Sequence, residues 1–416
     1  MRILYSFLTR ISYLFLWIAQ YFSKKMKLFV SGRTQVFENL SQHITPEDKT
    51  IWFHCASLGE FEQGLPIMEV VKKEFPNHKI VVSFFSPSGY EVKKTTPVAD
   101  VVIYLPLDTI SNAKKFINAV HPSLVLFVKY EFWPNYLFEL KNRNIPTLLI
   151  SGLFREGQVF FKGHGSFMRK ALKSFDHIFV QDKTSEKLLK HINITNVTVS
   201  GDTRFDRVSH QIEHDNSLPF ISAFKENSLC IVCGSTWPED EAILLNYINE
   251  ATEDVKFIIA PHTIDSKIEQ FRKKLKGPSV LYSEKEGKNL ADYSVFIIDT
   301  IGLLTKIYSY ADIAYVGGAM GKTGLHNILE PATFGIPIVI GKNFENFPEA
   351  KRLQQLAGLF VVDSATECTE ILTKLVTNGS FREKTGMIAG HFVNSNTGAT
   401  NITLDYITKL HRNGLI

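Results

Sequence analysis

The sequence predicts two Rossmann-like α/β domains, each built on a doubly wound parallel sheet. From about residue 50 of the 416-residue chain, short and continuously apolar runs alternate with polar, helix-like stretches. Such runs are typical of parallel strands that are covered on both faces. A polar stretch at 207–218 interrupts the alternation, and a chain of this length is expected to hold two domains.

Seven strands are predicted on each side of the interruption. Those of the first half are Thr50–Ala56, Lys79–Phe85, Val101–Leu107, Ser123–Lys129, Thr147–Gly152, His177–Asp182 and Val197–Gly201. Those of the second half are Leu229–Ser235, Phe257–His262, Val280–Ser283, Val295–Thr300, Ile313–Gly318, Pro337–Gly341 and Leu359–Asp363. We therefore predict a first domain at 26–208 and a second at 209–416, facing each other across a cleft.

Residues 1–25 are predicted to attach the protein to a membrane. The segment 3–22 is almost wholly apolar, and a basic run at 24–27 follows it. It is just long enough to span a bilayer, but Arg10 would be costly at the centre, so a shallow interfacial helix is the alternative. A cleaved signal peptide would need a small-residue cleavage site, which is missing. A buried first helix would need a polar face, which this segment hardly has.

Composition and charge exclude several classes of protein. The chain is 44% hydrophobic with a net charge of +4, and its mean hydropathy is −0.01. These values argue against a disordered chain and a polytopic membrane protein. The charge is too weak for nucleic-acid binding to be expected, but it suits an acidic substrate or a lipid surface. Cys230 and Cys233 form an isolated CxxC with no second pair to complete a zinc site, so no metal is expected.

Polar residues at the ends of the first-half strands are candidates for chemistry, because ligands of open α/β sheets bind there. Glu60 opens the helix after the first strand, as either a general base or a partner of the helix dipole. Glu131 follows the fourth strand in a segment that also holds a lysine and aromatic residues. These neighbours favour an active-site carboxylate over a solvated loop charge. Arg204 could clamp an anion or form a local ion pair with Asp202 or Asp206.

Three segments of the second half could hold an anion or a nucleoside. Thr236 and Glu239 have the spacing of a capping box, so a helix N-terminus is expected there. His262 follows a strand, and the turn at 299–303 presents backbone N–H groups. Both His262 and the turn at 299–303 are explained equally well as ordinary strand-to-helix connections that bind no ligand.

The glycine-rich stretch at 317–324 is the richest segment of the chain. It leads to His326 and then to Glu330, whose carboxylate could accept both hydroxyls of a ribose. The glycines would allow the ligand to approach the backbone, whereas a flexible loop with a solvated glutamate is the simpler alternative.

Taken in order, SLGE, KYEFWPN, GDTRFD, GST, DTIG, VGG and HNILEPA resemble the motifs of bacterial 3-deoxy-D-manno-octulosonic acid (Kdo) transferases. Members of this family move Kdo from CMP-Kdo onto the lipid A precursor. The resemblance runs from about residue 26 to 400. It implies two domains of the GT-B type, a basic N-terminal membrane segment, and no metal or other cofactor besides the donor substrate CMP-Kdo. The first domain would bind the acceptor and the second the CMP-sugar.

The resemblance also implies roles for particular residues. Glu60 matches the catalytic base, and Glu131 and Arg204 match two residues that stabilise the transition state. Three segments match contacts to CMP, namely Pro261 and His262, then Ile301, Gly302 and Leu303, and lastly Asn327, Ile328, Leu329 and Glu330. The chain departs from the family pattern at four positions: His262 replaces a frequent arginine, Leu303 and Lys129 replace frequent glutamates, and Leu325 interrupts a Gly-Gly pair.

The function expected from the resemblance is the transfer of Kdo to a hydroxyl of the lipid A precursor, lipid IVA, during lipopolysaccharide core biosynthesis. The reaction would be inverting and independent of metal, and it would take place at the cytoplasmic face of the inner membrane. Two alternatives stay open: another two-domain glycosyltransferase that uses a UDP- or GDP-sugar, and a non-catalytic sugar- or lipid-binding protein on the same fold. The sequence does not specify the oligomeric state or the number of sugars added.

Overall fold

The chain folds into two compact units in a computed structural model that describes residues 1–252 and 254–416. The first unit comprises 1–207 and 397–416, and the second comprises 208–396. Each unit carries one seven-stranded sheet, and the strand pairs in both sheets are parallel. The predicted class of two parallel-sheet α/β domains is confirmed.

The sheet of the first unit has the strand order β3-β2-β1-β4-β5-β6-β7. Its strands are β1 Lys49–Cys55, β2 His78–Phe84, β3 Val101–Tyr104, β4 Pro122–Val128, β5 Thr147–Gly152, β6 His177–Val180 and β7 Val197–Val199. The order reverses between β1 and β4, which places a topological switch point at their carboxyl ends.

The sheet of the second unit has the order β10-β11-β9-β8-β12-β13-β14. Its strands are β8 Leu229–Thr236, β9 Val255–Pro261, β10 Ser279–Leu281, β11 Val295–Ile297, β12 Ile313–Val316, β13 Ile338–Gly341 and β14 Leu359–Val362. Here the switch point lies between β8 and β12.

Helices connect the strands and cover both faces of each sheet. They are α1 Arg2–Ala19, α2 Lys24–Ser31, α3 Val36–His43, α4 Leu58–Glu74, α5 Pro87–Lys93, α6 Ile110–Val120, α7 Pro134–Asn142, α8 Ser166–Leu172, α9 Lys183–His191, α10 Thr203–Ser209, α11 Pro219–Lys225, α12 Pro238–Glu250, α13 Lys267–Arg272, α14 Leu304–Ile307, α15 Leu329–Thr333, α16 Pro348–Gln355, α17 Ala365–Thr377, α18 Gly379–Asn394 and α19 Ala399–Arg412.

Burial on both faces explains why the strands read as continuous apolar runs. In β1, Ile51 and Phe53 belong to the core cluster that also contains Phe61 of α4. Trp52, between them in sequence, belongs to the cluster on the opposite face and packs its ring 4.9 Å from that of Phe116 in α6. Because both faces of this strand are buried, an apolar residue at every position, rather than at alternate positions, stabilises the fold.

The second domain ends earlier than predicted, at residue 396. Residues 397–416 belong to the first unit, not to a domain at 209–416. Ile407 of α19 is fully buried in a core of the first unit. Asp206 fixes the start of this helix, because its carboxylate accepts hydrogen bonds from the backbone N–H of Gly398 (2.5 Å) and of Thr400 (2.7 Å).

The N-terminal segment forms α1, and its polar face contacts the protein. Arg2 Nε donates to Asn135 Oδ1 (2.9 Å) and Asn135 Nδ2 donates to the buried Ser6 Oγ (3.0 Å), while the ring of Tyr5 lies 5.6 Å from that of Phe167. The apolar side chains of α1 are exposed, including Ile3, Leu4, Phe7, Leu8, Leu14, Phe15 and Ile18. The alternative of a buried first helix is therefore wrong.

The spanning alternative for 3–22 is also not supported. Within 1–252 and 254–416, the structure contains no helix that combines the length and the hydropathy of a transmembrane span.

Candidate active site

Glu60 lies in the first turn of α4, directly beyond the carboxyl end of β1. Its side chain is half-buried. Ser57, the residue before the helix, donates a hydrogen bond from Oγ to the Glu60 carboxylate. This hydrogen bond fixes the orientation of the carboxylate in the first turn of α4.

Glu131 lies beyond the carboxyl end of β4, the strand that neighbours β1 at the switch point. It is only 8% exposed. Its Oε2 accepts a hydrogen bond from Trp133 Nε1 (2.7 Å) and lies 3.0 Å from Nε2 of His54 in β1. His54 is fully buried, and sequence reasoning missed it. The available signal was an imidazole in the middle of an otherwise apolar strand.

Arg204 lies in the first turn of α10 and pairs with Asp202. Its Nε donates to Asp202 Oδ2 (2.9 Å), and its backbone N–H donates to Oδ1 (3.0 Å). Gln63 of α4 also donates to Asp202 Oδ1 (3.2 Å). Burial raises the pKa of Asp202, but the charge and the hydrogen bonds of Arg204 lower it by a larger amount. The pKa of Asp202 is therefore below its ordinary value. The local ion pair considered for Arg204 therefore forms with Asp202, and it ties the guanidinium to the helix that carries Glu60.

The three predicted catalytic residues lie beyond the carboxyl ends of strands of one sheet, Glu60 after β1, Glu131 after β4 and Arg204 after β7. Burial raises the pKa of Tyr130, Arg204 opposes this rise, and Glu60 adds to it. Burial likewise raises the pKa of the Cys55 thiol, with the charges of Glu60 and Glu131 adding to the rise. Two carboxylates and a guanidinium thus act electrostatically on shared neighbours at the β1–β4 switch point.

The first turn of α12 is organised by Asp240, which sequence reasoning missed. The carboxylate is fully buried and accepts from the backbone N–H of Trp237 (2.9 Å) and Gly318 (2.8 Å) and from the hydroxyl of Tyr315 (2.9 Å). Burial raises its pKa, and these hydrogen bonds oppose the rise. The helix begins one residue later than the predicted capping box at Thr236 and Glu239, because β8 continues through Thr236.

Beside this turn, three rings stack at the ends of β8, β9 and β12. The Trp237 ring lies 4.6 Å from that of His262, which lies 4.5 Å from the ring of His326. Pro261 closes β9 next to His262. Trp237 Nε1 donates to His326 Nε2 (3.2 Å). Burial and the neighbouring His262 lower the pKa of His326 to about 4, so it is neutral at physiological pH.

Glu330 connects two of the predicted CMP segments. It accepts from Asn327 Nδ2 at Oε1 and from Thr305 Oγ1 at Oε2, both at 3.1 Å. Thr305 belongs to α14, directly after the turn of Ile301, Gly302 and Leu303. Gly302 has a left-handed φ of +89° and Ile301 is 83% exposed, so this turn presents its backbone. Ile328 and Leu329 are buried core residues, and the Leu329 N–H donates to Asn327 Oδ1 (3.1 Å).

The glycines after β12 serve the protein's own backbone. A Cβ on Gly318 would lie 2.1 Å from the carbonyl oxygen of Gly324, and one on Gly317 would lie 2.4 Å from that of Ser235. Gly318 also has a left-handed φ of +94°. The loop therefore closes against itself and against β8, which differs from the prediction that these glycines make room for a ligand.

No group of three His, Cys, Asp or Glu side chains is arranged as metal ligands in the described part of the chain. Cys230 and Cys233, the isolated CxxC, are buried thiols within β8. Burial raises the pKa of both, which disfavours the thiolate that a metal requires.

The two parallel-sheet α/β domains resemble the GT-B fold. Among solved structures, UDP-GlcNAc 2-epimerase from Neisseria meningitidis has a TM-score of 0.63 at 15% identity, with 87% of this chain and 100% of that chain covered. MurG from Acinetobacter baumannii has a TM-score of 0.53 at 12% identity, with 87% and 99% covered. At such identities the similarity concerns the fold alone.

The sequence comparisons are more specific. Residues 30–207 match the family described as 3-deoxy-D-manno-octulosonic-acid transferase (kdotransferase). The chain is 28% identical over 383 residues to the 3-deoxy-D-manno-octulosonic acid transferase of Haemophilus influenzae, covering 87% of both chains. It is 29% identical over 336 residues to that of Aquifex aeolicus, covering 78% of this chain and 86% of the relative. The predicted resemblance to the Kdo transferases is confirmed over most of the chain.

Proposed function

We propose that the protein transfers Kdo from CMP-Kdo to a hydroxyl of the lipid A precursor, lipid IVA, in lipopolysaccharide core biosynthesis. The observation that carries this proposal is that Glu60, Glu131 and Arg204 all lie beyond the carboxyl ends of strands of the first sheet, with Arg204 linked through Asp202 to Gln63 of the helix that carries Glu60. The proposal is supported by the similarity to Kdo transferases that extends across both units.

In the proposed reaction, Glu60 takes the proton of the acceptor hydroxyl while that oxygen attacks the anomeric carbon of Kdo. The bond from this carbon to the phosphate oxygen breaks, and CMP leaves with the bonding electrons. Glu131 and Arg204 stabilise the charges that develop as the bond breaks. A single base and a direct displacement invert the anomeric centre, by analogy with hydrolases that use no covalent carboxylate intermediate.

The second unit is proposed to hold the CMP moiety. Glu330 would accept the ribose hydroxyls, and the backbone of the 301–303 turn would face the phosphate. Because Trp237 donates to Nε2 of His326, the neutral ring carries its proton on Nδ1. His262 and His326 then offer hydrogen bonds to the phosphate in place of the charge of the frequent arginine.

The release of CMP tests the donor assignment. Purified protein incubated with CMP-Kdo and dispersed acceptor is expected to release CMP, whereas UDP-N-acetylglucosamine and GDP-mannose should yield no nucleotide product. Turnover of a UDP- or GDP-sugar would identify a different glycosyltransferase, and the absence of turnover with every donor would favour a non-catalytic binding protein.

We expect Glu330→Ala to weaken CMP binding more than it slows turnover at saturating donor. A charge-assisted hydrogen bond contributes ~1.5–3 kcal/mol, so the loss of one such bond should raise the dissociation constant about 10- to 100-fold. Isothermal titration calorimetry with CMP measures this change. Glu370→Ala, which removes an exposed carboxylate of α17 in the same unit, is the control. An unchanged dissociation constant in Glu330→Ala would refute the ribose assignment.

The protein is further proposed to lie on the cytoplasmic face of the inner membrane through α1. The helix docks its polar face on α7 and α8 and exposes its apolar face, the reverse of an ordinary surface helix. The basic run of Lys24, Lys25 and Lys27 follows at once. An apolar helix face and a basic cluster are the two signals that together give stable interfacial attachment.

We expect Phe15→Glu to weaken binding to anionic phospholipid vesicles at least tenfold. Phe15 is 66% exposed, and inserting a phenylalanine ring contributes ~1.5–3 kcal/mol that glutamate cannot supply. Vesicle co-sedimentation measures the effect, and Ser41→Glu, which places the same charge at an exposed polar position of α3, is the control. Activity on detergent-dispersed acceptor should change little. Equal vesicle binding of Phe15→Glu and the unaltered protein would contradict the attachment of α1.

A further inference from the structure

A chain of buried polar side chains lies beneath Glu131 and has no part in the reaction as proposed above. It consists of Trp52 and His54 of β1 and Ser83 of β2, all fully buried. Trp52 Nε1 lies 2.7 Å from Ser83 Oγ, which lies 2.8 Å from His54 Nδ1. His54 Nε2 in turn lies 3.0 Å from Oε2 of Glu131. The β1–β2 register sets His54 directly beside Ser83.

The protons of this chain can be assigned from its chemistry. An indole N–H can only donate, so Ser83 Oγ accepts from Trp52. The hydroxyl of Ser83 can then give its own proton to His54 Nδ1. When Nδ1 accepts from Ser83, the ring proton is on Nε2 and points to Glu131 Oε2. The carbonyl oxygen of Ser83 lies 3.1 Å from the same Nδ1 and would accept only from a ring that carries a proton on Nδ1.

A second donor reaches the same carboxylate oxygen. Trp133 Nε1 lies 2.7 Å from Glu131 Oε2 and 2.9 Å from His54 Nε2. Because both of these nitrogens carry protons in this arrangement, the carboxylate is the acceptor they share. Oε2 thus receives two N–H donors, and together they fix the orientation of the carboxylate.

We infer that Trp52, Ser83 and His54 are positioning residues that hold the Glu131 carboxylate in one orientation through Oε2, with Oε1 directed to the reacting groups. This inference rests on the proposed role of Glu131 in the transfer. The rings are themselves fixed by packing, since His54 lies 5.6 Å from Phe127 and 6.2 Å from Trp133. A small misplacement of a catalytic group can cost 10²-fold in rate, so a rigid second layer is expected to matter.

The test compares His54→Leu with His54→Gln. Leucine fills the site without a donor, whereas the glutamine amide can still donate to Glu131. We expect His54→Leu to lower kcat about 10- to 100-fold with little change in the KM for CMP-Kdo, and His54→Gln to recover most of the rate. His177→Leu, at a half-buried histidine of β6, is the matched control and should retain its activity.

A double-mutant cycle decides whether His54 acts through Glu131. If it does, His54→Leu should cost almost nothing further in a Glu131→Gln background. Full activity of His54→Leu beside an impaired Glu131→Gln would overturn the inference while leaving the proposed function intact. Full activity of Glu131→Gln, or no transfer by the unaltered protein, would instead overturn the proposed function.

The folded state of each variant is checked by its thermal melt. If His54→Leu does not fold, Ser83→Ala takes its place, because it frees Nδ1 to take the proton and removes the donor at Nε2. A lower kcat in Ser83→Ala would support the inference, and an unaltered kcat would contradict it.

Discussion

Replacing Glu60 with glutamine is expected to lower the rate of Kdo transfer by a factor of ~10²–10⁴, the usual cost of removing a positioned general base. The amide is nearly the size of the carboxylate and can still accept the hydrogen bond from Ser57 at its oxygen, so α4 should keep its first turn. It cannot accept a proton from the acceptor hydroxyl at neutral pH. Because Glu60 belongs to the first unit and CMP is assigned to the second, the affinity for CMP should be unchanged.

Single-turnover kinetics and CMP calorimetry together measure these two effects. Glu69→Gln, which makes the same change at an exposed position of α4, is the control and should transfer at the unaltered rate. Transfer at the unaltered rate by Glu60→Gln would remove this residue from the mechanism.

Asp240→Ala is expected to destabilise the second unit and to weaken its affinity for CMP. The change leaves two backbone N–H groups and the Tyr315 hydroxyl without their buried acceptor. Each unsatisfied group costs ~1–3 kcal/mol, so the free energy of unfolding should fall by about 3–9 kcal/mol. In a unit of this size, the corresponding drop in Tm is roughly 6–36 °C. Gly318 and the Trp237 ring would lose their shared support, and CMP affinity should fall at least tenfold with them.

Differential scanning calorimetry and CMP titration follow both quantities. Asp363→Ala, at an exposed position after β14, is the matched control and should change neither. If Asp240→Ala melts at the temperature of the unaltered protein, the buried carboxylate does not organise the turn in the way its hydrogen bonds indicate.

Most strands could be predicted because they are buried on both faces, which leaves a continuous apolar run in the local sequence, whereas β7 is only half-buried. The strand ends were also informative, since polar residues that follow adjacent strands must meet at one edge. Glu60 and Glu131 follow β1 and β4, and the pairing of these strands brings the two carboxylates to the same switch point.

The contacts that sequence reasoning missed join residues far apart in the chain. Asp206 accepts a hydrogen bond from Thr400, which lies 194 residues further along the chain. No local sequence pattern predicts that α19 packs on the first unit. The partners of His54 and Asp240 are likewise set by strand register and loop closure. Composition alone predicted a membrane segment in α1. Only the contacts of Arg2 and Ser6 with Asn135 show which face of this helix is exposed.

Mass spectrometry of the lipid product tests the central claim most directly. Purified protein, CMP-Kdo and a tetra-acylated lipid A precursor are incubated in detergent, and the lipid is analysed before and after the reaction. The account predicts a lipid heavier by one or more Kdo units, formed with an equal amount of CMP and absent when Glu60→Gln replaces the unaltered protein. A lipid of unchanged mass in the presence of folded protein that binds CMP would contradict it.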